Sequence, residues 1–387
     1  MSKHLLALIV ALFLAGGCRN GDSISRTRPA GKIVDIPANA FVVQWVAPLQ
    51  LARGDALSHL YHRGDDLLVY SRNNRVTWLS PSGGQIRYAA DVAGREDTVG
   101  PPLALKDVTL FPTSTSLRIF RNGKVERKLE LGHAIRSAPA GENNIVYVGL
   151  DYSNGGRLAK LDISKPYGNS IWELRTSGGM SSAPVLFAQV IYTASENGYV
   201  YAVSEDRLPV WSLANSAFKT DGRILADIKV DDFGVYVAST DSKLYCLDRI
   251  TGKLKWVYFG GESLNIAPVV TADSVYQAIP RVGIAAIDKT AGDYDRKPRW
   301  LMKGTTQFLS EDEQNVYLRS VENQIVGVDK KTGQEKFRST RKDLRLFATN
   351  QKPDGMIYAA AVNGDVYAIR PVLKAGAVGE LARLFVH

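Results

Sequence analysis

An internal repeat runs through most of this 387-residue chain and constrains its fold more than any other feature. With Tyr236 as the reference, equivalent positions recur at spacings of 38 to 45 residues along the sequence. A period of about 42 residues is typical of the four-stranded blade of a β-propeller. The eight reference positions are Leu68, Thr109, Tyr147, Tyr192, Tyr236, Tyr276, Tyr317 and Tyr358.

The pattern inside each unit predicts antiparallel strands. Apolar residues stand eight and eleven positions after the reference, as Leu244 and Leu247 do after Tyr236. Alternating apolar residues on either side of a short turn indicate a hairpin. The unit of Tyr147 alone needs three extra residues, 152–154, before this pattern resumes. Outside the first residues no helical period occurs, so we predict an all-β chain: an eight-bladed β-propeller of four-stranded antiparallel blades.

Large rings close most units. Trp172, Trp211 and Trp300 end their units, while Thr-Gly pairs lead to Trp256 and Phe337. A ring at the end of a fourth strand can lie against the next blade and bury about 150–250 Å². We therefore expect these rings to hold neighbouring blades together.

The two ends of the repeat array predict how the ring closes. The last unit, around Tyr358, has no aromatic ending, whereas residues 41–46 contain Trp45 and lack three other strands. We predict that residues 41–46 supply the outer strand of the last blade, which removes the open edges of the array. Residues 381–386 are an alternative closing strand. Residues 41–387 then form a single propeller.

The N-terminus predicts export. A positive start at Lys3 is followed by a ten-residue apolar run and then by Ala-Gly-Gly before Cys18. The run is too short for a transmembrane helix but suits a signal peptide. The segment resembles a bacterial lipobox, which implies a signal peptide at 1–17 and a lipidated Cys18 on a flexible tether, 18–40. An ordinary secretory signal is the alternative. Arg19, where inner-membrane lipoproteins carry Asp, implies the outer membrane, with the propeller facing the periplasm.

Composition narrows the classes of partner. The formal net charge is +9, which favours acidic partners or reflects a generally solvated basic surface. Export excludes nucleic acid as a partner. Cys246 is the only cysteine besides Cys18, so no disulfide can form within the mature chain, and its mid-strand position predicts a buried small side chain.

The residues that usually carry catalysis or bind metal form no convincing pattern. Acidic clusters such as 311–313 recur at one position of the repeat, which indicates solvated turns rather than calcium ligands. His59 and His62 share a predicted strand, where their spacing places the rings on opposite faces. No nucleophile elbow, phosphate loop or dinucleotide motif occurs. We predict no catalytic residue, no metal site and no cofactor.

The blade pattern, with its aromatic and Thr-Gly elements, resembles the repeat of pyrroloquinoline-quinone (PQQ)-type propellers over about residues 41–371. That group contains dehydrogenases and non-catalytic relatives, so fold alone does not settle function. The dehydrogenases carry a vicinal disulfide, which this chain lacks. Two alternatives stay open: a periplasmic PQQ-dependent dehydrogenase, and a propeller that binds cell-wall polysaccharide, with Trp78 as an exposed contact.

The lipobox, the single propeller and the eight units most resemble the lipoprotein B subunits of the outer-membrane β-barrel assembly machinery. The resemblance implies a scaffold that binds the central barrel subunit and is anchored to the membrane by lipid; unfolded outer-membrane proteins are further candidate partners. It also implies a partner-binding site at Leu174 and Arg175, before Ser182-Ala183-Pro184. A second Ser-Ala-Pro at 137–139 shows that this tripeptide also serves strand entry here, and Leu174 has a buried strand end as its alternative.

Charge along the predicted connectors between blades supports a protein-binding face. A modest excess of basic residues on one face would steer an acidic partner, with an attraction that salt weakens. The basic residues in these connectors are Arg95, Arg136, Arg175, Lys219, Arg223, Lys303, Arg341, Lys342 and Arg345. The acidic residues are Asp55, Glu96, Asp97, Asp221, Glu262 and Asp343.

Overall fold

Eight antiparallel sheets form the blades of a β-propeller in the computed structural model, which describes residues 41–167, 170–212, 217–339 and 341–371. Strands are numbered in chain order. Blades 1 to 4 comprise β2 (Leu57–Arg63), β3 (Asp66–Ser71), β4 (Arg75–Leu79) and β5 (Ile86–Asp91); β6 (Leu103–Ala104), β7 (Val108–Pro112), β8 (Ser116–Arg121) and β9 (Lys124–Glu130); β10 (Ala140–Glu142), β11 (Ile145–Tyr152), β12 (Gly155–Asp162) and β13 (Ser170–Arg175); and β14 (Val185–Phe187), β15 (Val190–Ala194), β16 (Tyr199–Ser204) and β17 (Ala217–Lys219).

Blades 5 to 8 follow the same order. They comprise β18 (Lys229–Val230), β19 (Val235–Ala238), β20 (Lys243–Leu247) and β21 (Leu254–Phe259); β22 (Val269–Val270), β23 (Ser274–Ile279), β24 (Gly283–Asp288) and β26 (Trp300–Lys303); β27 (Thr305–Glu311), β28 (Asn315–Ser320), β29 (Ile325–Asp329) and β30 (Glu335–Arg338); and β31 (Leu344–Ala348), β32 (Ile357–Ala361), β33 (Asp365–Pro371) and β1 (Phe41–Pro48). An extra strand, β25 (Asp295–Arg296), pairs in parallel with β21. The prediction of an eight-bladed all-β propeller is confirmed.

The first strands of neighbouring blades, such as β10, β14 and β18, contact one another and surround the hub. The middle strands are buried on both faces because each sheet is covered by a blade on either side; β7 and β23 are buried throughout. Outer strands such as β5 are largely exposed. This arrangement explains why the middle strands read as continuous apolar runs.

The N-terminal strand closes the ring as predicted. β1 pairs antiparallel with β33 and becomes the outer strand of blade 8. Trp45 then donates a hydrogen bond from Nε1 to the Pro81 carbonyl of blade 1, at 2.9 Å. The alternative closing strand, residues 381–386, lies outside the described residues, as do the signal peptide, Cys18 and the tether. The described residues include no helix able to cross a membrane.

One contact, the docking of an outer-strand ring onto the next blade, recurs around the propeller. Five tryptophans, on or just before the outer strands, each donate from Nε1 to a backbone carbonyl in the turn between the third and fourth strands of the following blade. The pairs are Trp45 with Pro81, Trp172 with Glu205, Trp211 with Arg249, Trp256 with Lys289 and Trp300 with Lys330, at 2.8 to 3.1 Å. The expectation that these rings join neighbouring blades is confirmed, with a directional hydrogen bond added to the burial.

Glycines in the same turns provide the surface on which the rings lie. A Cβ on Gly333 would lie 2.4 Å from Cγ of Trp300, and one on Gly84 would lie 2.5 Å from Cε3 of Trp45. Both glycines also have positive φ. These two requirements, close approach and left-handed backbone, account for the glycine that precedes the aromatic in the repeat.

Blade 2 has no aromatic ring at this position, and Arg127 on β9 takes its place. Its guanidinium donates to the Lys165 carbonyl at 2.9 Å and to the Ile163 carbonyl, both beside the corresponding turn of blade 3. Arginine carries several N–H donors on a planar group. It can therefore satisfy the same carbonyls without an indole.

Candidate functional site

The predicted partner-binding residues lie at the end of the outer strand of blade 3, β13. In the ladder Leu174 is opposite Leu158, and Arg175 is opposite Arg157. Leu174 is half-buried and packs against a cluster between blades 3 and 4 that includes Leu158 and Met180. Arg175 is exposed and donates one weak hydrogen bond, 3.4 Å from Nη2 to the Asn154 carbonyl. Leu174 thus has mainly a packing role, whereas the side chain of Arg175 is accessible to a partner.

Arg175 lies beside the longest middle hairpin of the propeller. β11 and β12 have eight residues each, more than the middle strands of the other blades, because of the three additional residues seen in the sequence. Connectors between blades and middle-hairpin turns share one face of an antiparallel blade, which we call the connector face. The long hairpin therefore extends blade 3 on the connector face, next to Arg175.

Side chains brace this hairpin. The Tyr152 hydroxyl donates to Glu173 at 3.2 Å, and Arg157 places its guanidinium 4.4 Å from the centre of the Tyr152 ring. Arg157 also pairs with Glu173, at 3.4 Å between Nη1 and Oε2. His133 stacks on Tyr152 with ring centres 3.5 Å apart. Burial and the neighbouring Glu173 raise the pKa of Tyr152, so its hydroxyl stays protonated and able to donate.

A network of charges continues along the connector face from blade 3 to blade 5. Arg136 pairs with Asp151, at 2.7 Å between Nε and Oδ2, and Arg223 pairs with Glu196. The Ser181 hydroxyl donates to Glu196, and this hydrogen bond, followed by Arg223 and Arg136, lowers the pKa of the Glu196 carboxyl. These cations are thus engaged within the protein.

The Ser-Ala-Pro tripeptide that follows Arg175 ties two blades together. The Ala183 N–H donates to Asp227 Oδ1 at 2.8 Å, and the Ser182 hydroxyl accepts from the Ile228 N–H at 3.1 Å. Ser182 is fully buried. Both contacts join the entry of blade 4 to the entry of blade 5, which gives this tripeptide a role in strand entry and blade registration.

The predicted basic residues of the connectors fall into two groups. Arg136, Arg223, Arg341 and Lys342 form ion pairs with carboxylates. The rest form no ion pair among the described residues, and Lys219 instead lies 5.1 Å from the centre of the Tyr199 ring. The cations left for a partner are Arg95, Arg175, Lys219, Lys303 and Arg345. The excess positive charge of the connector face therefore comes from fewer residues than the sequence alone indicates.

The residues considered for metal binding or catalysis have structural surroundings. His59 stacks near Tyr61 and His62 contacts Tyr358, so the two rings lie on opposite faces of β2, and burial lowers the pKa of each. In the part of the chain that the structure describes, no three His, Cys, Asp or Glu side chains are placed to share a metal ion. Cys246 is fully buried, which raises the pKa of its thiol.

Two sequence interpretations were wrong. Trp78, expected to be exposed, is 2% exposed because it packs between blades 1 and 2 and donates to the Thr109 hydroxyl at 3.3 Å. The acidic turn at 311–313, expected to be solvated, contains buried carboxylates: Glu311 accepts from the Tyr276 hydroxyl at 2.7 Å and pairs with Lys330. Turn carboxylates can thus anchor tyrosines and lysines between blades.

Comparison with known proteins identifies the family. The model of a family described as outer membrane protein assembly factor BamB matches residues 118–337, more than half of the chain. The chain belongs to this family. The matched region runs from blade 2 to blade 7 and includes Leu174 and Arg175.

Individual relatives bear the same description. The outer membrane protein assembly factor BamB of Kangiella koreensis is 27% identical over 158 residues, which are 40% of this chain and 35% of the relative. That of Nitrosomonas eutropha is 26% identical over 163 residues, 40% of this chain and 37% of the relative. The matches therefore span little more than a third of these relatives' length.

Solved structures show the same fold. The crystal structure of BamB from Moraxella catarrhalis has a TM-score of 0.62 at 19% identity and covers 84% of this chain and 97% of its own. The designed Ika8 protein gives 0.64 at 15% identity, covering 83% and 98%, and the C-terminal WD40 domain of Sif2 gives 0.61 at 11%, covering 86% and 98%. At these identities the likeness supports the propeller fold alone.

Proposed function

We propose that this chain is an outer-membrane lipoprotein that acts as a non-catalytic scaffold of the β-barrel assembly machinery. It is anchored through lipid on Cys18, faces the periplasm and binds the central barrel subunit through blade 3. Membership of this family and the similarity to the assembly factors BamB of two bacteria support the assembly role. Unfolded outer-membrane proteins are a second class of partner in this proposal.

The observation that carries the binding site is the state of Arg175. It is exposed, beside a braced hairpin, and without an ion pair among the described residues, whereas Arg136 and Arg223 nearby are paired. A guanidinium of this kind can bind a partner carboxylate in bidentate fashion. Leu174 holds the strand end in place and presents its exposed edge to the same partner.

Co-purification from detergent-solubilised membranes tests this proposal. Arg175→Glu places a negative charge at the contact, so we expect the barrel subunit to be lost from the eluate. Arg281→Glu is the control for charge reversal, because Arg281 is also exposed on the connector face but pairs with Glu262 and lies on blade 6, away from the site. Full recovery of the barrel subunit with Arg175→Glu would remove Arg175 from the interface.

The two alternative functions have separate tests. The polysaccharide hypothesis used Trp78 as its contact, and that side chain is buried between blades 1 and 2. The quinoprotein hypothesis is tested by adding pyrroloquinoline quinone and Ca²⁺ to the purified protein and measuring dye reduction. The scaffold proposal expects no reduction above a heat-denatured control.

A further inference from the structure

A cleft of about 380 Å³ opens between blades 6 and 7, close to the hub. Its lining includes Ile266 from the connector into blade 6, Ala278 and Ile284 from the middle hairpin of blade 6, and Phe308 and Arg319 from blade 7. Because connectors and middle-hairpin turns share a face, the cleft opens on the connector face. Blade 7 is four blades from blade 3, so the cleft lies across the hub from Arg175.

Arg319 is the charged group of this cleft and has no carboxylate partner. Its Nε donates to Asn323 Oδ1 at 3.0 Å, Nη2 contacts the same oxygen, and its guanidinium lies 5.5 Å from the centre of the Phe347 ring. These contacts leave both Nη1 hydrogens and the second Nη2 hydrogen available, so the end of the guanidinium can donate two parallel hydrogen bonds. Neither Arg319 nor its neighbour Arg345 forms an ion pair within the described part of the chain. Burial, and to a smaller extent the positive charge of Arg345, lowers the pKa of Arg319. The site is therefore an uncompensated positive charge at an apolar surface.

The other polar groups of the cleft are satisfied within the protein. Gln307 donates from Nε2 to the Phe347 carbonyl at 3.1 Å, and the Thr349 hydroxyl donates to the Phe308 carbonyl at 3.1 Å. A ligand of this cleft therefore needs an anionic group to pair with Arg319 and an apolar group to pack against the walls. Ligand pockets span about 300–1,000 Å³, so this volume is at the small end and suits a single residue.

We propose that the cleft binds the C-terminal residue of an unfolded polypeptide, with its carboxylate on Arg319 and an apolar side chain against Ala278, Ile284 and Phe308. A chain end with an apolar last residue places a carboxylate and an apolar group within one residue, as the cleft requires. Arginine binds carboxylates with two parallel hydrogen bonds, which adds geometric selectivity. The proposal rests on the proposed function, since an assembly scaffold meets unfolded chains.

Fluorescence polarisation with a short peptide tests this site in the full-length protein. The probe is a fluorescein-labelled alanine peptide that ends in phenylalanine with a free carboxylate, and its competitor is the same peptide with an amidated end. We expect the free acid to bind at least about tenfold more tightly than the amide, as loss of a charge-assisted hydrogen bond implies. Equal affinity of the acid and the amide would overturn the proposal.

Two variants separate the charge from the shape of the cleft. Arg319→Gln is expected to abolish the preference for the acid, whereas Arg281→Gln, on the same face, keeps it. Thr306→Trp is expected to weaken both peptides by filling the opening from an exposed position that lines the cleft. Wild-type affinity in both Arg319→Gln and Thr306→Trp would refute the site, and thermal unfolding of each variant verifies that it folds.

A lipid carboxylate is the competing occupant. Dodecanoate is added as a second competitor, and displacement of the probe at a lower concentration than the unlabelled peptide would overturn the peptide assignment. Failure here is distinct from failure of the scaffold proposal, because co-purification of the barrel subunit depends on Arg175 and is expected to survive Arg319→Gln.

Discussion

Replacing Trp45 with phenylalanine tests whether the N-terminal strand is held in the ring as firmly as a strand from within the array. Trp45 and Trp300 are a matched pair: they are 6% and 7% exposed, and each donates a 2.9 Å hydrogen bond to the next blade. Their ring centres lie 6.2 Å and 5.9 Å from the rings of Tyr358 and Tyr276, their respective blade tyrosines. Trp45→Phe and the matched substitution Trp300→Phe therefore remove equivalent contacts.

The magnitude follows from the lost groups. Phenylalanine keeps an aromatic ring but removes the N–H, which leaves the carbonyl of Pro81 or Lys330 without that donor at a cost of about 1–2 kcal/mol. The smaller ring adds a packing loss that stays well below the roughly 3–5 kcal/mol of a complete truncation to alanine. We expect each variant to lose about 1–3 kcal/mol, and the two losses to agree within about 1 kcal/mol.

Urea denaturation followed by circular dichroism measures both losses as midpoint shifts at an unchanged m value. The double variant is expected to show the sum of the two losses, because the sites are separated by two blades. Closure of the ring by β1 would be refuted if Trp300→Phe lowered the stability of the protein while Trp45→Phe left it at the wild-type value.

Three further predictions concern blade contacts and charge. Gly333→Ala places a Cβ against Trp300 at positive φ, so it should destabilise the fold by more than Gly261→Ala, where φ is also positive but nothing lies within 4 Å; denaturation midpoints compare them. Arg127→Met should cost about 1–2 kcal/mol by leaving two blade 3 carbonyls without their donor, and equal midpoints would contradict the docking role. The lowered pKa of Glu196 means that its charge stabilises the folded state above its ordinary pKa of 4.5 and that this contribution is lost as pH falls through the folded value. Melting temperatures of wild type and Glu196→Gln should therefore differ at neutral pH and converge in acid; a constant gap would contradict the ion pairs.

The repeat made the fold predictable, because its period and its hairpin pattern recur in every unit. Closure by residues 41–46 followed from one aromatic residue present at one end and missing at the other. Trp78 was misplaced because a middle strand of a propeller is covered on both faces, so alternation does not mark an exposed side. Arg127 was not predicted, because the repeat was defined by aromatic rings and this arginine donates the equivalent hydrogen bonds without a ring.

The candidate site was less accessible to sequence reasoning. Resemblance pointed to Leu174 and Arg175, but only the structure shows that the first packs between blades while the second is exposed. The three additional residues after Tyr147 were a usable signal, since they lengthen the hairpin beside Arg175. The cleft at Arg319 had no sequence signal, because its walls come from residues 266 to 349 and meet only in the folded ring.

Hydrogen–deuterium exchange of the complex with the detergent-solubilised barrel subunit tests the scaffold proposal most directly. The backbone amides of the blade 3 hairpin turn, 152–155, and of the connector after Arg175, 176–179, should exchange more slowly in the complex than in the free protein. Amides of the outer strand β5, which belongs to blade 1 and lies two blades away from this site, serve as the internal reference. Unchanged exchange at both blade 3 segments, with protection elsewhere on the ring, would contradict binding through blade 3.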